Sequence, residues 1–303
     1  MGESFLAALE FGLPARHRFH SQAQALLVVF EFIEGWYNAQ TVHEPGRLQT
    51  SLSPDSIPAP PESPARSQVF HAESVKAILG GPMSKARLIL AHLISVLPLN
   101  AARVFAYRGF FGYRIHRARI GWRCVIHVSQ GEFVGCTVAH HNRFVGPMTV
   151  RVGRGARIMA YNTFACGWWT LNDPGGKAGY TRRLEIGEDT LISSRHYFDV
   201  AGTITLGDGS IIGGIGSQFW SHGPRVKQRD IRIGKHCYVG SAAIFGPGAG
   251  LSDHTMVALG SLVARRYHQR NVVIGGVPAE TLREDFDWEA TQSEDEAGGP
   301  RVD

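Results

Sequence analysis

The sequence predicts a mainly β chain wound as a parallel β-helix, with helices ahead of it. Three observations predict it. Apolar residues recur every six positions through the second half of the chain. Glycine, 36 residues in all, concentrates after residue 130. The turn spacing of 8–12 residues that marks a β-sandwich is not the spacing seen.

The clearest run is Ile233, Val239, Phe245, Leu251, Val257 and Val263, six apart without a slip. Ile186, Ile192, Phe198 and Ile204 keep the same period, and a two-residue slip leads to Leu206 and Ile212. Val152, Ile158 and Phe164 form a third run, Ile120 and Ile126 a fourth. Small residues follow the apolar one, as in IGEDTL, LGDGSI and VGSAAI. The physical reading is a triangular coil of about 18 residues, built from three strands of about six. Each apolar residue points inward and stacks on its counterpart one coil away. Small residues turn the corners, where glycine tolerates positive φ. Neighbouring coils satisfy each other's backbone hydrogen bonds.

The elements around this repeat follow in order. Residues 1–43 show apolar positions at near-helical spacing and read as a helical extension. Residues 44–75 are rich in Pro and Ser and read as a linker. Recognisable sequence begins near Met83, so the segment before it reads as dispensable or as an artefact of the start site. Residues 76–113 predict one or two helices punctuated by Pro98 and Gly109. The repeat occupies 114–283, and 284–303 is an acidic tail.

Charge sharpens the reading of 76–113. From Ser74 to Gly131 there is no acidic residue, while Lys76, Lys85, Arg87, Arg103, Arg108, Arg114, Arg117, Arg119 and Arg123 are interleaved with apolar side chains. Such a stretch can lie on an anionic membrane or bind an acidic partner. It can equally be a helix whose apolar stripe docks on its own domain, and the sequence leaves both readings open. No nucleic-acid-binding motif accompanies the charge. Four cysteines without a CxxC pair fit a reducing compartment. The N-terminus has no basic leader and no apolar run spans a bilayer. The expectation is a cytoplasmic protein, in peripheral contact with the inner face of the membrane if the first reading of the basic stretch holds.

The hexads, the block VALGSLVARRYHQRNVVIGGVPAETLRE and a loop histidine resemble the hexapeptide-repeat acyltransferases, most closely the sugar and polysaccharide O-acetyltransferases. The resemblance covers roughly 113–283 and implies a left-handed parallel β-helix, a homotrimer, acetyl-CoA as acyl donor and a sugar or glycan acceptor.

The repeat breaks where a hexad would begin at Gln218, and QFWSHGPRVKQRD runs on until Ile231. A solenoid tolerates an insertion at a corner. In the family such a loop carries a histidine in a Thr-x-x-His-Pro-like context. Phe219-Trp220-Ser221-His222-Gly223-Pro224 resembles it, with Ser for Thr nearby and Gly inserted before Pro. By resemblance His222 is the general base that takes the proton of the attacking hydroxyl, with no acyl-enzyme. The alternative is a loop histidine without a role. His196, in ISSRHYFDV, is the second candidate, with Asp199 three residues on to orient an imidazole or hold a sugar hydroxyl. A corner histidine bonded to backbone is the alternative there. The family's acceptor-binding Asn has no counterpart, since Ile192 falls about there. Ser241, Ala242, Ala258, Gly260 and Ala264 match the small residues that let the cofactor arm approach, and Arg265 and Arg266 stand where its phosphates would lie. Corner geometry alone also demands small residues.

Rival classes remain. The gamma-class carbonic anhydrases share the β-helix but use two histidines five residues apart, a spacing none of the 14 histidines shows, and His140-His141 read as pointing to opposite sides of a strand. No metal is expected. A scaffold would share every hexad without needing His222, the small residues and the arginine pair together. N-acetyl transfer to an amino sugar would use the same base and donor.

Overall fold

The structure is a computed structural model that describes residues 84–172, 179–223 and 226–290. These lie within one compact unit, Gln68–Asp303. The expected extension and linker, 1–75, and most of the acidic tail lie outside the described residues.

The described chain is a left-handed parallel β-helix behind two helices. Each coil contributes one strand to each of three faces. The first face stacks the front of Arg143–Val152, then Thr163–Ala165, Tyr197–Asp199, Gln218–Trp220, Ile244–Phe245 and Leu262–Val263. The second continues from the back of Arg143–Val152 to Arg183–Ile186, Thr203–Leu206, Ile231–Ile233, Gly250–Leu251 and Arg266–Tyr267. The third runs from Arg119–Ile120 to Val272–Gly276 and closes on an antiparallel strand, Ala279–Arg283.

The hexads become three inward columns. On the first face Phe144, Phe164, Phe198, Phe219 and Phe245 stack with ring centroids 4.4, 4.7, 4.4 and 4.7 Å apart. Strands of a sheet lie about 4.8 Å apart, so the rings inherit the coil rise. On the third face Ile158, Ile192, Ile212, Val239 and Val257 pair in register. The two-residue slip before Leu206 has a simple cause: Ile204 and Leu206 both point inward on one strand, and the extra residues sit at the corner 200–202. The interruption comes later than the spacing suggested. Phe219 takes the inward place on Gln218–Trp220, one residue out of period, and the loop leaves the coil only at Ser221.

One corner is held by side chains. Asn142 Oδ1 accepts the Asn162 N–H at 2.9 Å, and Asn162 Oδ1 accepts the His196 N–H at 2.8 Å. His196 Nδ1 accepts the Ser217 N–H at 3.1 Å, and Ser217 Oγ accepts the Ala243 N–H at 3.3 Å. Each buried corner donor is satisfied by the coil before it. The expectation that small residues turn the corners holds only in part. His141, Tyr161 and Arg195 have φ of 59°, 66° and 63° at the positions that Gly216 and Gly260 occupy in later coils. This conformation disfavours a side chain by about 1 kcal/mol, offset by inter-coil bonds such as His141 N–H to Trp122 O and Arg195 N–H to Ala160 O. His140 and His141 therefore sit in a turn, not on a strand. Their Nδ1 atoms are 2.9 Å apart rather than on opposite sides.

Ahead of the coil, α1 (Lys85–Ser95) is capped by Ser84 Oγ accepting the Arg87 N–H. α2 (Asn100–Phe111) follows the Pro98 break and stops at Gly112, φ 71°. Gly109 lies inside α2 and punctuates nothing. The Tyr107 hydroxyl, fully buried, shares its one proton between the carbonyl oxygens of Cys124 at 2.8 Å and Ala91 at 3.1 Å and accepts the Ile126 N–H, tying both helices to the first strands. Two of the basic residues serve the same docking. Arg87 donates to Phe110 O at 3.1 Å, and Arg103 donates to Ile120 O at 3.0 Å and to Leu97 O. Lys85, Arg108, Arg114, Arg117, Arg119 and Arg123 stay exposed, as do Leu99 and Phe105. No helix among the described residues is long and apolar enough to cross a membrane.

Burial holds the His196 imidazole down at about 4, against 6.5 for a free one. Between these values the unfolded chain takes a proton that the folded chain refuses, so stability falls as pH falls from about 6.5 toward 4. His196→Asn keeps an acceptor for the Ser217 N–H and removes the titration. Urea unfolding at about pH 7 and about pH 4.5 should show the variant losing less stability than wild type, by up to about 3 kcal/mol.

Candidate active site

Two excursions leave the coil at the same edge of the first face. One leaves after Ala165, opens with a 3₁₀ turn, Trp168–Leu171, and is described over 166–172 and 179–182. The other is described over 221–223 and 226–230. Strand alternation fixes what stands between them: Phe198 points inward, so Asp199 points outward. The loops cover it, and its residue is only 4% exposed.

His222 Nδ1 lies 2.6 Å from Asp199 Oδ2. Its neighbour holds the loop in place. Ser221 Oγ accepts the N–H groups of Ala201 and Gly202, each at 2.8 Å, and donates to Asp199 O at 2.5 Å. A buried carboxylate accepts only, so Nδ1 is the protonated nitrogen and Nε2 the one left to take a proton. The His222 side chain is 38% exposed, which keeps the ring within reach of a substrate.

Aromatic rings surround the imidazole. Trp169 stands 5.2 Å from it and Trp220 6.1 Å, centroid to centroid. Tyr180 meets Trp169 edge-on at 5.1 Å, and the Arg229 guanidinium lies 4.6 Å over Tyr180. Trp169 and Tyr180 come from the first excursion, which the hexad reading left unremarked. The signal was there, in the lost register between Phe164 and Ile186 and in the Trp-Trp pair within it.

The nearby nucleophile candidates are otherwise engaged. Cys166 is buried, and burial, helped by the Asp199 charge, pushes its thiol up to about 11. Ser221 Oγ is committed to the backbone. An imidazole held by a carboxylate, as His222 is by Asp199, is an arrangement that can take up and return a proton.

The structure brings Asp199 to His222 and keeps His196 apart from both. His196 is 1% exposed inside the corner, its Nδ1 spent on Ser217. The residues expected at the cofactor divide between two edges. Ala264, Arg265 and Arg266 follow Leu262–Val263 on the His222 edge, two rungs on, about 10 Å at the spacing of strands. They line an open groove of about 540 Å³ with Gln228, Pro247, Gly248 and His268. Ser241, Ala242, Ala258 and Gly260 lie at the opposite edge of that face. There a side chain at Gly216 or Gly260 would meet nothing within 4 Å. Ile215, Ile244 and Leu259 flank this bare corner and are exposed.

No protein-family model matches the chain, and comparison with the curated proteins found no match. Solved structures do resemble it. A hexapeptide-repeat acetyltransferase of Vibrio cholerae, solved with acetyl-coenzyme A, is 19% identical, with 71% of this chain and 89% of that one covered and a TM-score of 0.36. LpxA of Acinetobacter baumannii is 15% identical over 62% and 74%, with a TM-score of 0.40. A maltose O-acetyltransferase of Clostridium difficile is 14% identical over 65% and 82%, with a TM-score of 0.34. At these values the likeness carries no functional argument.

Burial keeps the four thiols protonated, with Cys124 and Cys166 at about 11 and Cys136 and Cys237 at about 12. A thiol-disulfide reagent at neutral pH should therefore leave all four cysteines unmodified in the native protein and label all four in guanidinium. Rapid labelling of native Cys166 would show a thiolate beside Asp199 and revive a covalent route.

Proposed function

We propose that this protein is an acyltransferase that moves an acetyl group from acetyl-CoA to a sugar hydroxyl of a polysaccharide or glycan precursor. The observation that carries the reading is the His222–Asp199 pair, set by a loop that leaves the coil where the hexads break. The resemblance of the hexads, the terminal block and the loop histidine to the sugar O-acetyltransferases supplies the reaction class.

The steps follow from the pair. The acceptor hydroxyl attacks the thioester carbonyl carbon while His222 Nε2 takes its proton. Asp199 stabilises the imidazolium that forms. The tetrahedral intermediate collapses with loss of the CoA thiolate, which recovers the proton from His222. Trp169 and Trp220 give the acceptor ring an apolar face to lie on. Arg265 and Arg266 hold the phosphates of CoA in the groove beside them, and the bare corner at Ala242 and Gly260 receives the pantetheine arm. Since these two lie on opposite edges of one face, the full site forms between copies of the chain, His222 of one against the corner of another. A homotrimer satisfies this.

Thiol release from acetyl-CoA, measured over neutral and amino sugars and glycan fragments, tests the reading and decides between O- and N-transfer. His222→Ala should lower kcat about 10²–10⁴-fold with CoA binding intact. Asp199→Asn should lower kcat by about 10²-fold with little change in either KM. Trp169→Ala should raise the acceptor KM about 3–10-fold and spare kcat. Transfer that survives His222→Ala refutes the base. In a separate binding experiment, Arg265→Ala with Arg266→Ala should weaken CoA at least about tenfold, and light scattering should return three times the chain mass. Unchanged CoA affinity would move the phosphate site elsewhere.

A further inference from the structure

The corner between the second and third faces is built like the asparagine corner and ends differently. Its positive-φ position is filled in successive coils by Arg117, Gly135, Gly155, Asp189, Gly209, His236, His254 and Asn271. His236 and His254 have φ of 52° and 57°, where glycine would be cheaper. Their rings stack at 5.1 Å with 9° between planes. Over them lies the segment that follows the β-helix. Phe286 N–H donates to Asn271 O, and the Trp288 indole N–H donates to His236 O at 2.8 Å, with the ring packed on Tyr238.

This segment delivers two carboxylates to the histidine pair. Glu289 Oε1 is 2.9 Å from His236 Nδ1, and its Oε2 is 4.0 Å from His254 Nδ1. Asp287 Oδ1 is fixed by the N–H groups of Glu289 and Ala290. The donor atoms of His254, Asp287 and Glu289 lie within 4.8 Å of one another. Yet His254 Nδ1 is buried without a hydrogen-bond partner. A buried polar atom in that state calls for an ion or a water, and here it faces two carboxylates. The charge of Lys235 nearby is taken by Asp208 at 2.8 Å.

We infer that His254, Asp287 and Glu289 bind a divalent cation of the zinc class. One imidazole and two carboxylates suit zinc in a tetrahedron whose fourth position is water. Donors around zinc are about 3.4 Å apart, so the exposed Asp287 and the half-exposed His254 and Glu289 draw in by about an ångström. His236 donates its Nδ1–H to Glu289 and orients it, the role a second histidine or carboxylate plays behind a ligand. The ion fastens the segment 286–290 to the last coils. It stands apart from His222 and from the proposed chemistry, and nothing in transfer depends on it.

The experiment uses the full chain without a histidine tag, stripped with chelator and then titrated with cobalt(II) by visible absorption and with zinc by calorimetry. One ion per chain is expected, with the strong d–d bands of a tetrahedral site. Glu289→Gln, close in shape to the native residue, and His254→Ala should each weaken binding at least about tenfold while circular dichroism stays native. Amide exchange at 286–290 should be faster in stripped wild type than in zinc-loaded wild type. Three results overturn the inference: no ion bound, binding unaltered by both variants, or exchange at 286–290 indifferent to zinc. The first and third would leave Glu289 as an ion-pair latch on His236. The second would place the ion on other histidines.

Discussion

The rise from one strand to the next governs this molecule. Parallel strands of adjacent coils must hydrogen-bond at a fixed separation, and every inward side chain must fill that separation and no more. Five phenylalanines meet it by lying flat on one another at 4.4–4.7 Å. The aliphatic columns on the other faces meet it with branched side chains in the same register. Residues may be added only where the chain is not under this constraint, at the corners. Both excursions and the slip before Leu206 are placed there.

That constraint explains how much could be read from the sequence. The inward columns repeat because each coil repeats the same geometry, so Ile233 to Val263 announced the fold. What lies outside the columns has no period to reveal it. Asp199 was visible as a candidate partner for an imidazole, but its local neighbour His196 was the natural choice on spacing. The structure gives Asp199 to His222, 23 positions along, because one more coil brings the next loop over the outward side of its strand. His196 instead does what Asn142 and Asn162 do in the two preceding coils. Trp169 and Tyr180 went unread since they belong to an excursion, where only three-dimensional closure decides what they touch. The arginines of 76–113 divide for a similar reason: charge run and helical stripe look alike for Arg87, buried against Phe110, and Arg108, exposed on the same docked pair of helices.

Within the site, rigidity and reach are assigned to different elements. The carboxylate is on a strand with partners on both sides, Ala165 and Trp220. The imidazole is on a loop, but Ser221 fastens the start of that loop to Ala201, Gly202 and Asp199 before His222 is reached. Three hydrogen bonds at one hydroxyl thus fix the angle at which the histidine meets its carboxylate, and the rest of the loop is free to differ.

The strands on either side of the first excursion, Thr163–Ala165 and Arg183–Ile186, keep the register of their neighbours. The excursion's length and composition are therefore nearly independent of the β-helix, while its first turn forms one wall beside the imidazole. What stands beside His222 and what holds the fold are written in separate stretches of chain. A lineage, or an engineer, can replace one without renegotiating the other, and can do so by inserting or exchanging a single segment between two intact strands.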